Sequence, residues 1–343
     1  MSEKALKLTT YFGERARVGR RLLADELLDA AAHHDVALSV LLRGVQGFGA
    51  KHRLRTDRLL TLSEDLPLVS IAIDGAQRIE ALRSTVAELP GEGLITVEPA
   101  GTTAADLDDF PADSEVKLTV CLGRHERIDG EPAFAAVCRV LREARVSGAT
   151  VLLGVDGTTG GERRRARFFA RNVGVPLLVL SVGQAARIDR ALTTLRQMLP
   201  SLVFTLERAQ VLKRDGQLLR HPAQAPTAIE GDSARVKLTV VTSEAARHRS
   251  RPVYLELVRR LREQGAAGAT SLRGIWGFHG EHEPHGDRWL SLRRHVPVIT
   301  EAIDTPERIA RLFETVDELT SERGLVTGEL VPTTAPFGRS PGL

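Results

Sequence analysis

Three short stretches concentrate the side chains that could do chemistry. In the first, His279, Glu281, His282, Glu283, His285 and Asp287 fall within nine positions. Divalent metals such as zinc take imidazole and carboxylate ligands in sets of three or four. His279, His282 and His285 have the spacing to supply two or three of these from one loop. No cysteine is near and neither standard zinc spacing is matched, so a polar loop with exposed, pH-sensitive histidines is the competing reading. The second stretch is Gly47-Phe48-Gly49 followed by Lys51, His52, Arg53, Arg55 and Arg58. Glycines let backbone amides approach an anion, and the cations would meet phosphate or carboxylate. A tight turn before a solvated basic loop is the plain alternative. The third stretch runs Arg163, Arg164, Arg165, Arg167 and Arg171 around Phe168 and Phe169. Arginine and aromatic rings can stack on a base, but no reading helix or second basic face accompanies them. Nucleic acid is not an expected partner.

Nucleophilic chemistry has little to stand on. There is no Gly-x-Ser-x-Gly elbow and no His-Glu-x-x-His. Glu98, Glu207 and Glu329 recur at the ends of what read as strands, where acids are more often solvated or salt-bridged than catalytic. Cys121 and Cys138 are too few for a disulfide scaffold and fit a reducing cytoplasm. Cys138 falls in the apolar stripe of a helix, as a small buried hydrophobe does. Whether the chain is an enzyme is left open, with the residues leaning against it. The best enzymatic alternative is a metal-dependent hydrolase using a divalent metal on the 279–287 loop.

The elements that carry these stretches occur three times. Leu6-Lys7-Leu8-Thr9 returns as Val116-Lys117-Leu118-Thr119 and as Val236-Lys237-Leu238-Thr239, at offsets of 110 and 230. The same offsets align Gly44-Val45-Gln46-Gly47 with Gly154-Val155-Asp156-Gly157 and Gly274-Ile275-Trp276-Gly277. Helical periodicity agrees between copies. Ala24, Leu27, Leu28 and Ala31 match Phe134, Val137, Cys138 and Leu141, then Tyr254, Leu257, Val258 and Leu261. With strands near 7–12, 39–43, 68–73 and 94–98 and their equivalents, each copy reads β-α-β-β-α-β. That is the ferredoxin-like order, an α+β fold in which two helices cover one face of a four-stranded antiparallel sheet. The repeats are placed at 1–105, 113–210 and 233–332, with 333–343 as a flexible tail. Each sheet keeps one face bare, and sister copies are the available cover.

The segment Lys7-Leu8-Thr9-Thr10-Tyr11-Phe12-Gly13, with Leu41-Leu42-Arg43-Gly44-Val45-Gln46-Gly47-Phe48-Gly49-Ala50-Lys51-His52, closely resembles the family filed as domain of unknown function 190. That family looks like a branch of the PII-like signalling superfamily. The resemblance implies units packed with their sheets inward, ligand clefts between neighbours and a partner-binding loop after the second strand. Three tandem units would then form a monomeric, intramolecular pseudo-trimer. The implied function is regulation or ligand sensing, with a small anionic effector, an adenine nucleotide among the candidates, held between repeats. The residues placed there are Gly44, Gly47, Phe48, Gly49, Lys51, His52 and Arg53 in repeat 1, and Gly274, Gly277, Phe278 and Gly280 in repeat 3. A protein partner would meet the loops. An inert scaffold of the same shape is the structural alternative. The connections near 90–93, 200–201 and 321–324 lack the lysine of the familiar PII ATP site, which argues against that site here.

Composition sets the outer limits. The chain has 343 residues, 42% apolar and 27% charged, with a formal net charge of +3. This describes an ordinary globular chain of two or three domains, neither disordered nor strongly basic. No apolar run reaches the length of a membrane span, so no membrane insertion is expected and a cytoplasmic location is the simplest.

Overall fold

The structure, a computed structural model, describes residues 5–49, 51–56, 65–159, 162–163, 175–222, 234–279, 285–286 and 296–337. It is a mixed α+β fold with three repeated β/α segments. Repeat 1 contains β1 (Ala5–Gly13), α1 (Leu23–His33), β2 (Leu38–Arg43), β3 (Gln46–Phe48), β4 (Pro67–Gly75), α2 (Ala76–Glu88) and β5 (Leu94–Ala100). Repeat 2 contains β6 (Glu115–Gly123), α3 (Ala133–Glu143), β7 (Gly148–Leu153), β8 (Asp156–Thr159), β9 (Pro176–Gln184), α4 (Ala185–Met198) and β10 (Val203–Arg208). After β11 (Gln210–Arg214), repeat 3 contains β12 (Arg235–Ser243), α5 (Val253–Glu263), β13 (Ala269–Arg273), β14 (Trp276–His279), β15 (Pro297–Asp304), α6 (Pro306–Leu319) and β16 (Leu325–Val331), followed by β17 (Thr333–Pro336). Within repeat 1 the sheet order is β2-β4-β1-β5, all antiparallel, and the other repeats follow the same order.

The helices form where the apolar period requires them. Tyr254, Leu257, Val258 and Leu261 of α5 are all buried, as are Val137, Cys138 and Leu141 of α3. Pro132 and Pro252 stand at the N-cap, one residue ahead of the first turn, where a missing N–H is harmless. At α6 the Thr305 hydroxyl accepts from the Arg308 N–H at 3.3 Å, and Pro306 takes the first helical position. Among the described residues no helix is long and apolar enough to cross a membrane.

The short strands β3, β8 and β14 were not legible as strands, and they tie the repeats together. Each leaves its own repeat and extends a neighbour's sheet: β3 pairs with β13 of repeat 3, β14 with β7 of repeat 2, and β8 with β2 of repeat 1. The exchange is cyclic. It also matches side chains by volume. Phe48 lies opposite Ala269 and Phe278 opposite Ala149, whereas Thr158 lies opposite Ser39, with the two hydroxyls 2.7 Å apart. Phe48 is buried in the core of repeat 3 and Phe278 in that of repeat 2.

Gly44, Gly47, Gly274 and Gly277 lie at these crossings. None has a positive φ, so conformational freedom is not what they supply. A Cβ on Gly277 would stand 2.3 Å from the Ala149 carbonyl oxygen, and one on Gly47 2.6 Å from that of Ala269. They are glycines because a neighbouring strand passes too close for any side chain.

The expectation of a flexible tail is corrected in part. Residues 333–336 pair with β5 of repeat 1, and Phe337 is buried in that repeat's core, 6.5 Å centroid to centroid from Phe12. They cover the otherwise open edge of that sheet. Residues 338–343 lie outside the described residues. The faces turned from the helices meet in one apolar cluster drawn from all three repeats, including Val40, Leu42 and Val69, Leu152 and Leu178, and Leu272 and Ile299.

Gly277→Ala should cost about 1–3 kcal/mol through the forced overlap. Gly49→Ala, where a Cβ would meet nothing within 4 Å, should stay within about 0.5 kcal/mol. Denaturant unfolding of both variants checks this; equal costs would show that the crossing strands can part without penalty.

Candidate functional site

Two places concentrate buried or clustered polar chemistry. The first is central. In each repeat the lysine of the repeated Lys-Leu-Thr lies directly across the strand pair from a glutamate: Lys7 from Glu98, Lys117 from Glu207, Lys237 from Glu329. All six are buried. Each lysine also reaches a glutamate of another repeat. Lys7 bridges Glu98 at 3.4 Å and Glu207; Lys117 bridges Glu207 at 3.0 Å and Glu329; Lys237 bridges Glu329 at 3.2 Å and Glu98 at 2.5 Å. The contacts close an alternating ring of three cations and three anions. Thr96 and Thr205 donate to Glu98 and Glu207 at 3.2 Å each.

Burial pushes each carboxylate toward its neutral form, but the lysines outweigh it. Glu207 is brought down to about 2 by Lys117 and Lys7, and Glu98 is likewise lowered by Lys237 and Lys7. Burial pulls Lys117 and Lys237 down, and the glutamates more than reverse this, raising both above the usual ammonium range.

Carboxylate oxygens of Glu98, Glu207 and Glu329, one from each repeat, lie within 4.8 Å of one another, close enough to hold a divalent ion. Three lysines already neutralise them, however. A cation would have to displace buried ammonium groups and leave them unpaired, at several kcal/mol each. The arrangement is an ion-pair ring first. Beside it lies a space of about 40 Å³, lined by Lys7, Lys117 and Lys237 together with Tyr11 and Glu301, room for about one or two waters.

The second place is a cleft of about 360 Å³ between repeats 1 and 3, within the range of small-molecule sites. It exists because β3 crosses onto β13 and carries the segment behind it across the repeat boundary. Repeat 1 contributes Tyr11, Phe48, Gly49, Lys51, Arg53 and Arg55; repeat 3 contributes Arg235, Thr270, Glu301 and Asp304. Four of the sequence-derived candidates thus meet in one cleft: Phe48, Gly49, Lys51 and Arg53. Lys51 pairs with Glu92, Arg55 with Asp65 at 2.9 Å, and Arg53 has no ion-pair partner among the described residues. His52 stands apart, stacked on Phe48 with ring centroids 5.7 Å apart. Gly44, Gly47, Gly274, Gly277 and Phe278 lie in the strand crossings, and Gly280 is outside the described residues.

Among the described residues the histidine stretch forms no cluster of three metal-ligating groups. His279 ends β14 and its Nε2 lies 2.5 Å from Asp215. His285 belongs to a two-residue strand opposite Gly277, and His282, Glu281, Glu283 and Asp287 lie outside the described residues. Arg163 pairs through its backbone with Thr158; the rest of the arginine run is outside. Trp276 packs edge-on against Phe134, ring centroids 6.0 Å apart. The thiols of Cys121 and Cys138 are pushed up to about 12 by burial, which leaves both inert as nucleophiles.

Sequence reasoning missed the lysine ring, Tyr11, Arg235, Glu301 and Asp304. The signal for the ring was present: a lysine in the middle of an apolar strand run in all three copies, matched by a glutamate in all three last strands. For the cleft residues no such signal existed, because they face each other only after the strands cross.

Lys237→Met should cost about 3–5 kcal/mol by leaving buried carboxylates uncompensated, against less than about 1 kcal/mol for Lys51→Ala at the exposed pair. The pH dependence follows from the same ring. A carboxylate lowered from 4.5 to about 2 contributes stability that is complete above 4.5 and lost as pH falls toward 2. Ammonium groups raised above 10.5 contribute stability that is complete below 10.5 and lost as pH rises past it. Urea unfolding across pH should show a plateau bounded by these limbs, with both limbs shallower in Lys237→Met.

Comparison with known proteins gives two findings. The family model for domain of unknown function 190, described as "Uncharacterized ACR", matches three times, at residues 5–101, 115–211 and 235–333. A UPF0166 protein of Aquifex aeolicus (strain VF5) is 35% identical over 92 residues, covering 27% of this chain and 86% of the relative.

Proposed function

This chain belongs to the domain of unknown function 190 family, and we propose that it is a PII-like regulatory protein that senses a small anionic molecule in the cleft between repeats 1 and 3. Each repeat is read as a ferredoxin-like unit and the three as an intramolecular pseudo-trimer. The cyclic strand exchange, the shared apolar cluster and the ion-pair ring support that reading. The observation that carries the function is the cleft itself, where Lys51 and Arg53 of one repeat face the sheet of another across about 360 Å³. A ligand there touches two repeats at once. It acts as a signal to the extent that it favours one placement of the segment behind β3 over another. An adenine nucleotide is one candidate, and a protein partner would read the loops.

A scaffold with inert loops is the second reading. The ring and the crossings favour it, because they build a rigid body without any ligand. A hydrolase on the histidine loop has less support, since His279 is committed to Asp215. Calorimetric titration of metal-stripped protein with nucleotides, bicarbonate, inorganic phosphate and divalent metals separates these readings. Saturable binding of an anion, weakened roughly 10- to 100-fold in Lys51→Ala/Arg53→Ala as charged hydrogen bonds are lost, is the expected result. No anion binding across the panel would leave the scaffold, and tight zinc binding would favour the metal reading.

A further inference from the structure

The three repeats serve as controls for one another. Opposite Thr9, Thr119 and Thr239 on the neighbouring strand stand Ile71, Leu180 and Glu301. Ile71 and Leu180 pack against the central apolar cluster. Repeat 3 places a carboxylate at the same position. The fold does not need it, since two of three copies are built with an aliphatic side chain there. A half-buried carboxylate beside an apolar layer carries a desolvation cost that Ile or Leu would not.

Its hydrogen bonding does not account for it either. The Tyr11 hydroxyl donates to Glu301 Oε2 at 3.0 Å, and among the described residues no other hydrogen bond reaches this carboxylate. Two carboxylate oxygens offer about four acceptor positions. Lys237 lies close enough to feel its charge, but the short contacts of that ammonium go to Glu98 and Glu329. The other acid from repeat 3, Asp304, behaves differently. It accepts the backbone N–H groups of Ala267 and Thr305 at 2.9 Å each, and Asp74 in repeat 1 does the same for Ala37 and Gly75. Asp304 is structural and its role is repeated; Glu301 is neither.

Tyr11 is also particular to this interface. The equivalent positions are Cys121 and Val241, opposite Leu178 and Ile299 as Tyr11 is opposite Val69. Both members of the pair line the cleft.

We infer that Glu301, held by Tyr11, recognises a hydrogen-bond donor on the ligand, an amino, amide or ammonium N–H, so that the cleft selects a molecule carrying a negative group at one end and a nitrogen donor at the other. This rests on the cleft being a ligand site. The negative end meets Lys51 and Arg53 from repeat 1, and the donor end meets Glu301 from repeat 3. A single molecule then spans the repeat boundary with opposite requirements on its two sides.

The test uses the full chain and matched probes that differ in the donor: phosphoethanolamine against ethyl phosphate, and AMP against purine riboside 5′-monophosphate, which lacks the 6-amino group and has no ring N–H. The wild type should prefer the amino-bearing member of at least one pair by about tenfold, the worth of one charge-assisted hydrogen bond. Glu301→Leu, the residue of repeat 2, should abolish the preference while leaving the amine-free probe within about threefold. Tyr11→Phe should reduce the preference without removing binding. Without any ligand, Glu301→Leu should melt at or above the wild-type temperature. Equal binding of both members by the wild type, or a preference that survives Glu301→Leu, overturns the inference while the cleft stands as an anion site. A lower melting temperature for Glu301→Leu makes the carboxylate structural and overturns it too. Failure of all four probes to bind removes the anion reading of the cleft and this inference together.

Discussion

A buried charge in a protein interior must be compensated where it stands, and six of them lie together between these three repeats. Each lysine faces a glutamate of its own sheet and a glutamate of another, so that no ion is satisfied by one repeat alone. Two repeats could not close the ring. They would leave a buried carboxylate short of a cation, and that costs more than the surrounding contacts readily supply. The ring is therefore weak evidence for extra stability, but it is a strong constraint on composition: three copies or none. It also fixes register, because a one-residue slip of β1, β6 or β12 would turn its lysine to the helix-covered face.

The strand crossings depend on that constraint and add direction to it. Ring closure specifies that three repeats meet; the pairs opposite Ala269, Ala149 and Ser39 specify which strand lands on which sheet. A phenylalanine fits only over an alanine here, and the Thr158–Ser39 hydroxyl pair occupies the remaining place. Since the β3 and β14 crossings place Phe48 and Phe278 in another repeat's core, the cores of repeats 3 and 2 are completed only in the assembled chain. The glycines of the repeated Gly-x-x-Gly follow from the same crossings, through the closeness of the neighbouring backbone.

How much of this was legible depended on whether the information was local. The helical and strand periods of each copy and the buried stripe around Cys138 rest on residues two to four apart, and they could be read, as could the threefold repeat. Phe48 and Lys51 could be singled out by type, but not the partners that complete their cleft, because Glu301 lies 253 positions beyond Phe48 in the numbering. The glycines were read for conformational freedom for a related reason. A sequence shows that a glycine is required, and only the neighbouring strand shows whether conformation or closeness requires it. The three lysines had the clearest unread signal, a charge repeated where each strand is otherwise apolar.

Joining the copies in one chain has a consequence beyond raising their effective concentration. Three separate identical chains would have to carry any substitution at all three interfaces at once. A carboxylate at the position of Glu301 would then enter the central apolar layer three times over, next to a ring that already holds three buried acids. In a tandem chain the cost is met once. The interface between repeats 1 and 3 can become polar while the positions equivalent to Glu301 and Tyr11 elsewhere keep Ile71 with Cys121 and Leu180 with Val241. Covalent linkage thus separates two demands that a symmetric assembly would force together: an apolar layer around the ion-pair ring that holds the repeats in place, and a polar cleft at one interface.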